Sequence, residues 1–109
     1  MDSIIRQHQS FLEKICRSLS VDKLYVFGSG ANSTLKEKSD LDFLVSFKKN
    51  LSADVYADHY LLLHKELENL FKRKIDLITV HSLSNPFFSE SIESSKKLIY
   101  DENHQEISF

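Results

Sequence analysis

Apolar positions near the start of the chain recur at spacings of three and four. Ile4, His8, Phe11, Ile15 and Leu19 form a stripe, with Ile5 and Leu12 beside it. This period predicts an amphipathic helix over residues 2 to 19, capped by Asp2 or Ser3. The pattern then changes. Leu24-Tyr25-Val26-Phe27 is a run of strand formers that stops at Gly28. Residues 29 to 39 are polar and hold no sustained period, with Ser29 placed to open a short helix. Residues 40 to 47 alternate as a strand does: Leu41, Phe43, Val45 and Phe47 on one face, Asp40, Asp42, Leu44 and Ser46 on the other. A second long helix is predicted over 54 to 72, with Val55, Tyr56, Leu63, Leu67, Leu70 and Phe71 on its stripe. A third strand follows over 75 to 80. Pro86 suits the start of a last helix running to about Lys97, after which Leu98, Ile99 and Tyr100 pack back on the core. A polar tail covers about 102–109. The alternation predicts an α/β (α+β) fold, a small mixed β-sheet packed on one face by helices, the other face open to a ligand.

Two aspartates stand out against this pattern. Asp packs poorly in strands and competes for local backbone hydrogen bonds, yet Asp40 and Asp42 occupy alternate positions of one. Their Cα atoms are then roughly 6.6 Å apart, at about 3.3 Å per residue, with both carboxylates on one face. Asp76 holds an equivalent place in Lys74-Ile75-Asp76-Leu77-Ile78. If the two strands are neighbours, three carboxylates meet. Such a group repels itself unless a cation sits among it. Oxygen-only ligands suit Mg²⁺, which also binds substrate phosphates, and carboxylates holding two such ions suit an in-line phosphoryl displacement. Gly28 and Ser29, directly after the first strand, offer a phosphate cradle: no Cβ blocks the backbone at Gly28, and Ser29 supplies a hydroxyl. Taken singly, Gly28-Ser29-Gly30 reads as a turn and either aspartate unit as a strand edge. The conjunction and its spacing are what point to phosphoryl chemistry.

The segment Gly28-Ser29, ten residues, then Asp40-Leu41-Asp42 resembles the signature of the polymerase-beta-like nucleotidyltransferase superfamily, and the short chain resembles its minimal nucleotidyltransferase (MNT) branch over roughly residues 3 to 101. The resemblance implies a nucleotidyltransferase fold and transfer of a nucleoside monophosphate from an NTP to a hydroxyl. It implies that Gly28 and Ser29 contact the NTP phosphates, that Asp40 and Asp42 bind metal, and that Asp76 is the third carboxylate, which activates the acceptor. The cofactors it implies are two Mg²⁺ ions, with ATP as substrate. Many MNT proteins are antitoxins paired with a HEPN-domain toxin, and such a partner can transfer AMP to a toxin tyrosine. The chain departs from the family at one place. Where relatives commonly continue x-Ala-Arg-Gly, it has Gly30-Ala31-Asn32-Ser33. Asn32 still donates hydrogen bonds to a nucleotide but lacks the fork and fixed charge of Arg; Lys36 and Lys38 are the nearest candidates for that charge. This departure keeps a second reading open, a catalytically weak MNT protein that neutralises its partner by binding alone.

Composition narrows the picture further. With 109 residues the chain is read as one domain, 1–109. Its net charge of −2 carries no basic excess, so no direct nucleic-acid binding is expected. One cysteine, Cys16, forms no internal disulfide and fits a reducing cytoplasm; it is expected to be packed rather than reactive. No apolar run approaches the ~20 residues that span a bilayer. A P-loop is excluded because Gly28 and Gly30 do not have its glycine spacing, and a three-glycine Rossmann turn because the chain has two glycines in total. An EF-hand from Asp40 fails at Leu44 and Val45. Zinc is not expected, since Cys16 is alone and His59 and His64 are five residues apart, off a shared helical face; both read as ordinary helix residues.

Overall fold

The structure, a computed structural model, describes residues 3–27, 40–80 and 96–103. In chain order the elements are α1 (Ser3–Gln7), α2 (Gln9–Ser18), β1 (Val21–Phe27), β2 (Leu41–Phe47), α3 (Ala53–Phe71), β3 (Ile75–Thr79) and β4 (Lys97–Asp101). The four strands form one sheet in the order β3-β2-β1-β4. β1 pairs antiparallel with both β2 and β4, while β2 and β3 run parallel. The sheet is therefore mixed, with α3 making the crossover that a parallel pair requires.

Strand alternation decides where the core lies. Leu41, Phe43, Val45 and Phe47 of β2 join Leu24 and Val26 of β1, Ile75 and Leu77 of β3 and Ile99 of β4 in one buried cluster. Ile5, Leu12 and Cys16 press onto it from α1 and α2, and Leu63, Leu67 and Phe71 from α3. Each such side chain taken out of water contributes about 1.5–3 kcal/mol. Cys16 belongs to this interior, and burial first and the Glu13 charge second push its thiol far above the ordinary range, so it behaves as a small apolar group. Among the described residues the opposite face carries a small cluster, Phe27 and Leu44, flanked by Tyr25, Ile78 and Val80. The predicted division into a helix-covered face and a second face is thus observed.

Several boundaries differ from the sequence reading. The first helix is broken at His8. The His8 N–H bonds Ile5 O at 3.2 Å, one residue short of the helical partner, and its ring Nδ1 donates to Ile4 O at 2.8 Å in place of the missing backbone bond. Asp2, one of the two expected caps, lies outside the described residues, and Ser3 is already helical. β1 begins three residues before Leu24, with a register shift between Val21 and Lys23. Asp40 precedes β2 rather than opening it. α3 starts at Ala53 because Ser52 caps it: the Ser52 hydroxyl accepts from the Val55 N–H at 3.2 Å. Val55 is consequently an exposed first-turn residue, not part of the stripe, and Leu51 and Tyr56 pack on the core there instead. These two flank the cap in the positions of a hydrophobic staple. Lys72 ends the helix in the left-handed region at φ 54°, its N–H bonding Glu68 O at 2.8 Å.

The helix expected from Pro86 to about Lys97 lies mostly outside the described residues, and its end is corrected: Lys97 starts a strand. Ile99 and Tyr100 return to the core, as expected, while Leu98 is half-buried; all three lie in β4, on the edge of the described sheet beside β1. Among the described residues no helix is long and apolar enough to cross a membrane.

Candidate active site

The acidic residues gather where β2 and β3 begin. Both strands enter the sheet from the same end: Leu41 N–H bonds Lys74 O at 3.1 Å, and the parallel register places Leu41 opposite Ile75 and Asp42 opposite Asp76. Leu41 and Ile75 belong to the buried cluster, so alternation turns Asp42 and Asp76 to the other face, beside each other. Asp40 lies two residues before Asp42 and is exposed, as is Asp76; Asp42 is half-buried. The apolar neighbours are what force this arrangement. A slip of one residue in either strand would bury a carboxylate and expose a Leu or Ile.

The electrostatics report the same proximity. The Asp42 carboxyl is pushed above its usual range, first by burial, then by the charge of Asp76, then by that of Asp40. Asp76 and Asp40 thus both act on Asp42, whose negative charge the fold resists. A divalent cation relieves that repulsion, and carboxylate oxygens are the hard ligands Mg²⁺ prefers. Among the described residues, however, no three His, Cys, Asp or Glu side chains are already drawn together into a ready-made metal cage. Mg²⁺ does not need one, since it keeps several waters and takes phosphate oxygens from its substrate.

Gly28, Ser29 and Asn32, the expected phosphate-contacting residues, lie outside the described residues. Their point of departure is fixed nonetheless. β1 ends at Phe27, whose partner across the antiparallel ladder is Asp42, so Gly28 follows directly on a residue seated beside the acidic group.

Among the described strands β3 lies at an edge, and its outer side is where sequence reasoning saw least. The Tyr60 hydroxyl of α3 donates to Leu77 O at 2.6 Å, and His64, one turn on, bonds Ile75 O through Nε2 at 2.9 Å. A carbonyl only accepts, so Nε2 carries the proton; Nδ1 then faces the Glu68 carboxylate at 3.4 Å. His59 likewise ties α3 to the end of α2, its Nδ1 bonding Leu19 O at 2.9 Å. Burial first, and the Asp76 charge second, raise the Tyr60 phenol above its ordinary value, which places Tyr60 within the field of the acidic group. An apolar cavity of about 490 Å³ opens on this side, between Tyr56, Ala57, Tyr60 and Leu61 of α3 and Leu77, Ile78 and Thr79 of β3. The only sequence signal for Tyr60 and His64 was their spacing of four on one helix.

Comparison with known proteins places the chain in a family. The profile of the family described as polymerase beta, nucleotidyltransferase, matches residues 11–105. A proposed protein adenylyltransferase of Methanocaldococcus jannaschii is 36% identical over 97 residues, covering 89% of this chain and 90% of that protein. Among solved structures, one described as a minimal nucleotidyltransferase superposes with a TM-score of 0.64 at 27% identity, covering 88% of this chain and 94% of the other. A complex of tri-AMPylated Shewanella oneidensis HEPN toxin with MNT antitoxin contains a chain that superposes with a TM-score of 0.60 at 16% identity, covering 91% and 74%, a likeness of fold. The chain belongs to the polymerase beta nucleotidyltransferase family. It is a nucleotidyltransferase with the mixed-sheet fold of that family, and its structural neighbours include an antitoxin–toxin assembly.

Proposed function

We propose that the chain is an Mg²⁺-dependent adenylyltransferase that moves AMP from ATP to a hydroxyl of a protein partner, the partner being a HEPN-domain toxin and the acceptor a tyrosine. One observation carries the reading: Asp42 and Asp76 are register partners on parallel strands, with Asp40 two residues upstream and both charges acting on Asp42. The chemistry of the set supports Mg²⁺ as the counter-charge. Asp40 and Asp42 are the residues assigned to hold it, with Asp76 completing the group; bound there, two such ions would polarise the α-phosphate and neutralise the departing pyrophosphate. Asp76, the most open of the strand carboxylates, is assigned to take the proton of the acceptor hydroxyl. The acceptor oxygen then bonds to the α-phosphorus, the bond from that phosphorus to the bridging oxygen breaks, and pyrophosphate carries away the electron pair. Gly28, Ser29 and Asn32 are assigned to the nucleotide. The adenylyltransferase name of the M. jannaschii relative and the AMPylated toxin in the S. oneidensis complex support ATP as donor and a protein as acceptor.

Incubating the chain with labelled ATP, Mg²⁺ and a HEPN-domain partner tests this. The partner becomes labelled, and Asp40→Ala/Asp42→Ala abolishes labelling. An unlabelled partner with wild type, or undiminished labelling with the variant, overturns it. Asn32-Ser33, standing where relatives commonly have Arg-Gly, favours the second reading, neutralisation by occlusion. In that case a variant lacking all three aspartates still inhibits the partner with nucleotide absent.

A further inference from the structure

Asp76 sits on a strand that has a neighbour on one side only. β3 bonds to β2 and, among the described residues, has no strand beyond it; its outer carbonyls meet α3. In a strand, alternate carbonyls point to opposite sides. Lys74 O points towards β2, where it accepts from Leu41 N–H; Ile75 O and Leu77 O therefore point outward. These are the carbonyls of the residues immediately before and after Asp76. They are also the two that His64 and Tyr60 bond, at 2.9 and 2.6 Å.

We propose that Tyr60 and His64 are positioning residues: a two-point clamp, one helical turn apart on α3, that fixes the backbone on either side of Asp76 and so sets its carboxylate against Asp42. The inference rests on the reading of Asp76 as a site carboxylate. The physical need for such a clamp is evident in the charges. Asp42 and Asp76 repel each other across the β2–β3 ladder, and an edge strand held from one side is free to splay away from that repulsion. Bonds from a 19-residue helix oppose the splaying on the side where no strand lies among the described residues. The helix itself is anchored in the main core by Leu63, Leu67 and Phe71, and by His59 to Leu19 O, so the clamp is referred to the body of the fold and not to a loop. Catalytic geometry tolerates little looseness; a misplacement of about 1 Å can cost on the order of 10²-fold in rate. The clamp also satisfies two carbonyls of an otherwise open edge, which blunts strand addition there. That second role is purely structural, and the test must separate the two.

The test uses the Tyr60→Phe/His64→Leu double variant, with His64→Gln as a single variant that keeps a side-chain N–H donor. Two readouts are taken on the full chain: amide hydrogen exchange, and AMP transfer to the HEPN-domain partner with kcat and the KM for ATP resolved. In the double variant the amides of residues 75–78 exchange at least tenfold faster while those of β1 are unchanged. Its kcat falls tenfold or more, and the KM for ATP stays within twofold. His64→Gln stays within threefold of wild type in both. Exchange and kcat within twofold of wild type in the folded double variant would overturn the clamp. So would exchange that accelerates equally across β1, or a loss confined to KM. A wild type devoid of transfer would overturn the proposed function instead, and the exchange readout would still decide whether the two side chains hold Asp76.

Discussion

At the scale of single residues, Asp42 has two opposed effects that one substitution separates. Its carboxyl is more easily protonated in the folded chain than in the unfolded one, because burial and the charges of Asp76 and Asp40 disfavour the anion. A carboxyl whose folded value is raised binds more protons folded than unfolded. Its contribution to stability is therefore present below the unfolded value, about 3.9, and is lost as pH rises through the raised folded value. At neutral pH without divalent ions, ionised Asp42 weakens the fold. Asp42→Asn removes that charge at nearly constant volume, so its thermal midpoint in chelator at pH 7 should exceed that of wild type, the gap closing as pH falls towards 4. The same change should reduce AMP transfer by roughly 10²–10³-fold, if metal-supported charge stabilisation is worth about 3–4 kcal/mol. Calorimetry and the transfer assay on one preparation check both. A variant less stable than wild type in chelator would mean that Asp42 is held by bonds rather than strained by charge. Asp42 was legible from sequence because an aspartate inside an apolar alternation is out of place. Tyr60 and His64 were not, because each bonds a main-chain carbonyl, and carbonyls leave no mark in an amino-acid pattern.

At the scale of elements, α3 links the site to the core, and its start is set by one hydroxyl. Ser52 accepts from Val55 N–H and is exposed, so its removal leaves the core intact and unsatisfies one donor of the first turn. Ser52→Ala should cost about 1 kcal/mol, a fall of ~4 °C in thermal midpoint for a domain of this size, and Ser52→Asp should restore it. A drop of under 1 °C would show that the cap contributes nothing. The long regular elements were readable because period and burial agree: α3 was placed to within one residue at each end, and β2 and β3 lost only their first or last residue. The failures were elements whose limits depend on partners. The break at His8 follows from a side chain outcompeting the backbone for Ile4 O, in a stripe that otherwise reads as continuous helix. β4 exists because β1 has a free edge for it. Leu98-Ile99-Tyr100 with charged ends suits the end of a helix equally well until that edge is known. The phosphate-contacting half of the expected site, Gly28, Ser29 and Asn32, falls outside the described residues.

At the scale of the whole molecule, the active-site reading and the stability of the fold become one measurable quantity. The site lies where β2 and β3 enter the sheet, so a ligand bridging Asp42 and Asp76 joins two strands separated in sequence by the whole of α3. Unfolding separates those strands and destroys the site. A ligand that binds only the folded state stabilises it by mass action, by RT ln(1 + [L]/Kd). At ten times its Kd, ATP with Mg²⁺ should therefore add about 1.4 kcal/mol and raise the thermal midpoint by ~6 °C. Chelation should abolish most of the gain if the nucleotide is held through the metal, while ATP contacts made by neutral groups alone would survive it. Asp42→Asn sharpens the outcome, because it starts from a higher midpoint in chelator yet should gain less from Mg²⁺ and ATP. The wild-type and variant curves should then cross as ligand is added. Two parallel curves would mean that the nucleotide, if it binds, does so away from the paired aspartates, and the strand register that brings them together would then serve the fold alone.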